Sequence, residues 1–213
     1  MSARDTILGR IRARRAGHDP DAVAERLRAH PAGPMPARAG GTAAEIRERF
    51  VAMAEKAGAR VEALASTAAL PELVARLCAE QGWDPEVAVA PDGALTRLDW
   101  ATAGVYTEVR EAAADDRICI SRALCGVAET GTAVLRSGPE SPVTLGFLPE
   151  WHVVSLAAED LVGGYEDAWA RVRAAGAMPR TVNWITGPSR SADIEQTIQI
   201  GAHGPRGLVI ALY

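Results

Sequence analysis

The chain has 213 residues and a mass of 22.4 kDa; 48% of its residues are hydrophobic and 23% charged. That composition suits a globular protein with one sizeable core and rules out an intrinsically disordered chain. A net charge of −4 and an aromatic content of 5% remove the electrostatic and stacking grounds for a nucleic-acid partner. No apolar run approaches a membrane span, and no apolar signal core follows Met1-Ser2-Ala3-Arg4-Asp5, so a cytoplasmic protein is expected. The cysteines, Cys78, Cys119 and Cys125, are odd in number and lack paired close spacing. They fit neither a disulfide framework nor a four-cysteine iron–sulfur cluster or CxxC zinc knuckle within one chain.

In chain order, Ile7, Leu8 and Ile11 recur at helical spacing and predict an amphipathic helix over residues 3–15. Asp19 and Pro20 suit the start of a second short helix carrying Val23 and Leu27. Pro31, Pro34, Pro36, Gly33, Gly40 and Gly41 then mark a linker, so residues 1–41 read as a helical arm and its linker. The domain proper is expected over residues 42–213. Thr42 can cap a helix that ends at Gly58, and a second helix is predicted over 70–80. Strands are predicted over 59–64, 86–90, 117–120, 132–136, 151–156, 181–185 and 207–212, with helical stretches over 121–127, 161–175 and 191–200. The turn at 138–142 makes residues 132–146 a candidate antiparallel hairpin. Alternating strands and helices of these lengths predict an α/β domain with a largely parallel central sheet flanked by helices.

Three segments place small and polar residues at expected strand ends, where open α/β sheets bind ligands. The first is Glu129, Thr130, Gly131 and Thr132. It offers a carboxylate for acid/base work and two hydroxyls, against the plainer reading of a capped helix end with Gly131 left-handed. The second runs Thr186, Gly187, Pro188, Ser189, Arg190 and on to Asp193, following an expected strand and opening an expected helix. Free amides at a helix N-terminus with an arginine make an anion cradle. The plainer alternative is a serine N-cap with Arg190 paired to Asp193. The third is His203 and Gly204, where flanking glycines expose an imidazole able to orient a carboxylate or carry a proton. No GxxxxGK[ST], GxGxxG or GxSxG pattern is present.

Together, AETGT at 128–132, LPEWHVV at 148–154 and ITGPSRSADIEQTIQIGAHGP at 185–205 resemble the lactate-utilisation protein C family, with its LUD domain. The stretch 143–147 departs from that pattern in carrying no arginine. The resemblance implies a fold similar to the NagB/RpiA/CoA-transferase-like α/β fold. It also implies a place in a three-protein system that oxidises L-lactate to pyruvate, with the iron–sulfur clusters in the partner proteins and no cofactor in this chain. The expected role is therefore a non-redox component that binds a small carboxylate or the iron–sulfur partners. The alternative is a stand-alone enzyme acting on a sugar phosphate, CoA thioester or folate, with Glu129 as base or nucleophile. Whether the chain is catalytic is left open by its sequence.

Overall fold

The computed structural model describes residues 2–15, 19–192, 198–201 and 203–213. The chain divides into two compact units, Met1–Pro34 and Met35–Tyr213. The first unit holds helices α1 (Ala3–Arg15) and α2 (Pro20–Ala29). Asp19 caps α2 by accepting the Asp21 N–H at 2.9 Å, and Pro20 occupies the first helical turn as its locked φ favours. Ile7, Ile11, Val23 and Leu27 are exposed on these helices.

The second unit begins with α3 (Ala43–Lys56), β1 (Arg60–Ala63), α4 (Leu70–Gln81), β2 (Glu86–Val89), the one-turn α5 (Gly93–Thr96), β3 (Tyr106–Val109), β4 (Ile118–Arg122) and β5 (Cys125–Val127). It continues through β6 (Thr132–Arg136), β7 (Trp151–Leu156), β8 (Leu161–Val162), α6 (Tyr165–Ala174), β9 (Val182–Ile185), β10 (Arg190–Ala192), β11 (Ile198–Ile200) and β12 (Gly207–Leu212). Six strands form a wholly parallel sheet in the order β1-β12-β7-β4-β2-β3. A second sheet, β8-β5-β6-β9, is antiparallel around β6. The expected α/β class with a parallel sheet and flanking helices is what the chain adopts.

Parallel strands covered on both faces read as unbroken apolar runs, and β12, Gly-Leu-Val-Ile-Ala-Leu, is buried throughout. Its alternate residues divide the core. Val209 and Ala211 pack with Leu73, Val74 and Leu77 of α4, while Leu208, Ile210 and Leu212 join Phe50 and Ala54 of α3 and Ala133 and Leu135 of β6. On the far side of the small sheet, Val127, Val134 and Val162 meet Ala168 and Val172 of α6 beneath Trp169 and Trp184. The layers therefore run α4, parallel sheet, α3 with the small sheet, and α6. A capping box fixes the start of α3: Thr42 Oγ1 accepts from the Glu45 amide, and the Glu45 carboxylate accepts from the Thr42 amide.

Four expectations are corrected. Residues 121–127 are not helical: they end β4 and form β5, buried except for exposed Arg122 and half-buried Leu124, and a short apolar run does not by itself separate helix from strand. Residues 132–146 form no hairpin, because β6 spends its hydrogen bonds on β5 and β9. A single bridge, Gly138 to Ser141, marks the turn, and Val143–Gly146 is a 3-10 turn. The helix predicted over 161–175 yields Leu161 and Val162 to β8 and starts at Tyr165, beyond the glycine pair. In place of a helix over 191–200, β10 and β11 pair antiparallel, Arg190 opposite Ile200 and Ala192 opposite Ile198. Ile198 and Ile200 flank Gln199 with the period of a strand. Residues 193–197, and with them Asp193, lie outside the described residues. Tyr106–Val109, an edge strand that the sequence reading does not anticipate, pairs in parallel with β2.

Two features of this packing are testable. Gly131 has φ +67°, and a Cβ there would collide with the backbone of Ala54 and Met53 in α3. Gly131→Ala is expected to cost about 3 kcal/mol, combining left-handed backbone strain with overpacking. Gly176→Ala, at φ +103° but with open space around its Cβ, should cost about 1–2 kcal/mol; urea unfolding of both variants checks the difference. His152, wholly buried on β7, has its pKa lowered to about 4 by desolvation. The unfolded chain then binds more protons than the native one between about pH 6.5 and 4. Stability should be complete above that window and fall by on the order of 3 kcal/mol across it, a loss that His152→Asn should reduce in a pH series of unfolding midpoints.

Candidate functional site

The turn between β5 and β6 presents the first predicted segment. Glu129 sits there as a buried carboxylate, 8% exposed, with Arg38 Nη2 at 2.5 Å and its own amide donating to the Gly163 carbonyl at 3.1 Å. Arg38 itself is 70% exposed, so solvent screens the outer half of the pair. The next residues build a hydroxyl cluster. Thr132 Oγ1, fully buried, lies 2.6 Å from both Thr130 Oγ1 and Thr186 Oγ1, and Tyr165 OH lies 2.9 Å from Thr130 Oγ1. Four hydroxyls from β6, its preceding turn, α6 and the end of β9 thus share protons among themselves.

Through Thr186 the cluster joins the second segment. The Ser189 amide donates to the Pro205 carbonyl at 2.8 Å, and the Gly201 amide donates to the Ser189 carbonyl at 3.1 Å, so residues 186–190 and 201–205 run side by side. Beside them a cleft of about 390 Å³ is lined by Phe147, Trp184, Thr186, Ser189, His203 and Gly204. It is continuous, through Phe147, His203 and Gly204, with a second hollow of about 450 Å³ that includes Glu150 and Arg206. Phe147 and Leu148 at the rim are 43% and 46% exposed. The Glu150 carboxylate is ion-paired with Arg117, whose guanidinium lies over the Trp83 ring.

The geometry brings together Thr130, Gly131, Thr132, Thr186, Gly187, Ser189, His203 and Gly204, but not in the arrangement the sequence implies. With β10 following Ser189, no helix N-terminus exists at 186–190, and the Ser189 amide is already spent on Pro205. Arg190 does not line the cleft. Its guanidinium lies against Gly58, just beyond the carboxyl end of α3, where it faces the negative end of that helix dipole; Pro188 is close by. Glu129 points toward Arg38 and does not line the cleft that holds His203. Nor do all three segments lie at strand carboxyl ends. The Arg206 and Gly207 amides both donate to the Glu150 carbonyl, which places 203–206 at the amino ends of β7 and β12.

The structure adds residues that local reading missed. Arg206, three positions after His203, lines the adjoining hollow with it. Tyr165 enters from α6, and Arg38 comes from the segment read as a linker. His152 lies behind Gly146 at the back of the cleft, its Nε2 2.6 Å from Ser121 Oγ and its Nδ1 unpartnered. Among the described residues no three His, Cys, Asp or Glu side chains converge as metal ligands. Cys78, on the buried face of α4, and Cys119, on β4, lie in one core cluster, and Cys125 lies in the core under α6. Burial pushes all three thiols up, that of Cys125 to about 11, so none is a ready thiolate.

The hydroxyl cluster predicts a local coupling. Thr132→Val keeps the side-chain shape but breaks the link to Thr186, and should cost about 1–2 kcal/mol. Faster amide hydrogen exchange at residues 186–190 than in the wild type would verify that the link steadies the cleft wall.

Comparison with known proteins places this geometry. Residues 47–213 match the LUD domain family. An uncharacterized protein of Neisseria meningitidis serogroup B is 42% identical over 91 residues, covering 42% of this chain and 39% of that protein. A protein of Geobacillus sp. WCH70 named lactate utilization protein C is 32% identical over 124 residues, covering 52% of each. The matches thus span about half or less of these relatives' lengths. A crystal structure of a DUF162 family protein from Deinococcus radiodurans superposes with a TM-score of 0.61 at 18% identity, covering 81% of this chain and 99% of that one. At that identity the likeness concerns the fold. With the family match extending from within α3 to the last residue, this chain belongs to the LUD domain family.

Proposed function

We propose that this chain is a component of an L-lactate utilisation system, supporting the oxidation of L-lactate to pyruvate without carrying the redox centre itself. The observation that carries the reading is the LUD domain match over 47–213, joined by relatives named lactate utilization protein C. Oxidising lactate to pyruvate removes two electrons and two protons. Only three cysteines are present, all buried, two in the core against α4 and one in the core under α6, a donor set short of the four thiolates a cluster takes. In this reading the electrons pass to iron–sulfur partner proteins.

The chain's own part is binding, at the cleft beside His203. The Ser189 and Thr186 hydroxyls and the His203 imidazole offer hydrogen bonds to a small carboxylate, with Arg206 at the adjoining hollow to balance its charge. Phe147 and Leu148 at the rim give the partner proteins an apolar foothold. Glu129, shielded and paired with Arg38, is better placed to hold the turn than to serve as the base of a stand-alone enzyme.

Deleting the gene in its host should abolish growth on L-lactate while leaving growth on pyruvate intact. The wild-type gene should restore growth, and a His203→Ala, Arg206→Ala copy should restore it poorly. Undiminished growth of the deletion strain on L-lactate overturns the reading.

A further inference from the structure

A second cleft lies elsewhere in the Met35–Tyr213 unit. At about 790 Å³ it has twice the volume of the one beside His203 and shares no lining residue with it. It opens where β4 ends at Arg122 and the chain leaves β2 toward Asp92, so it sits at carboxyl ends of the parallel sheet, the position where open α/β sheets take ligands. The small sheet contributes Arg136 from the end of β6, and α6 contributes Arg171. Three guanidiniums from three elements therefore line one concavity.

Their partners differ. Arg171 is fully engaged, with Asp160 Oδ1 at 2.6 Å and the Glu159 carbonyl at 3.1 Å. Arg136 is half-buried and gives one N–H to the Ala175 carbonyl at 2.7 Å; among the described residues no carboxylate pairs with it. Arg122 has only a loose ion pair, 3.9 Å from Asp92 Oδ2. The acids are mostly committed: Asp160 to Arg171, and Asp92 to capping the Ala94 amide at 2.7 Å. Glu140 is the remaining acid, exposed on the 138–141 turn at the rim. A partly desolvated guanidinium without a counter-ion is costly, and an arriving anion removes that cost.

We propose that this second cleft binds an organic oxyanion, a phosphate or carboxylate group held between Arg122 and Arg136. The volume is in the range of small-molecule sites and generous for a three-carbon acid such as lactate. Ala123, Leu124 and Pro139 supply apolar surface for the body of such a ligand. This site is distinct from the one assigned above and does not depend on the lactate reading.

Calorimetric titration of the full chain with inorganic phosphate, with succinate and with L-lactate tests it. Phosphate or succinate should bind more tightly than L-lactate, and whichever binds identifies the oxyanion. Arg122→Ala should weaken that binding at least tenfold with an unchanged thermal midpoint, whereas Arg180→Ala, removing an exposed arginine outside the cleft, should not. Arg136→Lys, which keeps the charge but loses the fork, should weaken it as well. Chemical shifts of the Arg122 and Arg136 side-chain nitrogens should move on titration, a readout that needs no substitution. Absence of binding by phosphate and succinate, equal binding by Arg122→Ala, or an equal loss in Arg180→Ala overturns the proposal.

Discussion

Helix α3 is held against the rest of the fold by backbone contacts that leave no room for a side chain. The β5–β6 turn reaches it at Gly131, beside Ala54 and Met53, and the loop after β9 reaches it at Gly187, beside the Ala57 carbonyl. Both glycines have positive φ, +67° and +75°, so each position excludes a Cβ by conformation as well as by space. The same helix buries Phe50 and Ala54 in the core between the parallel sheet and the small sheet. One element thus closes a face of the parallel sheet and sets the height of two loops that carry the chemistry. The bond between Thr132 and Thr186 ties those loops to each other.

The two clefts draw on different parts of this frame. The one beside His203 lies between the end of β9 and the amino ends of β7 and β12. Its polar groups are hydroxyls, an imidazole and, in the adjoining hollow, Arg206 and a Glu150 whose carboxylate is paired with Arg117. The other lies at the carboxyl ends of the parallel strands, lined by Arg171, which is paired with Asp160, and by Arg122 and Arg136, whose carboxylate partners among the described residues are loose or lacking. The first is suited to holding a small acid by hydrogen bonds, the second to gripping a larger anion by charge and fork geometry. Buried His152, neutral at physiological pH because desolvation lowers its pKa, stands behind the first cleft without adding charge to it.

Much of the fold is legible in the order of residues. Thr42 with Glu45 announces the start of α3, Asp19 with Pro20 that of α2, and the run from Gly207 to Leu212 a strand buried on both faces. These signals are local: a cap, a locked φ or an apolar run acts on its own few residues. The errors fall where a partner decides. Residues 121–127 are a short, mostly apolar run whose pattern does not separate helix from strand, and residues 190–192 and 198–200 take strand geometry because β10 has β11 to pair with. The three chemical segments are visible as glycine- and hydroxyl-rich stretches, but their order points to Arg190 as the anion-binding arginine, whereas Arg190 lies against the end of α3 and Arg206 lines the hollow beside His203.

The sequence by itself determined the α/β class, the parallel sheet and the caps of α2 and α3. Each follows from residue type and short-range spacing. Only the tertiary structure decided which polar groups come together: Thr132 with Thr186, Glu129 with Arg38, His203 and Arg206 along one hollow, and Arg122 and Arg136 along one cleft at the carboxyl ends of the parallel strands. The reason is physical. A strand order of β1-β12-β7-β4-β2-β3 brings segments distant in sequence side by side through hydrogen bonds and packing, and no stretch of a few residues records which neighbour it will receive.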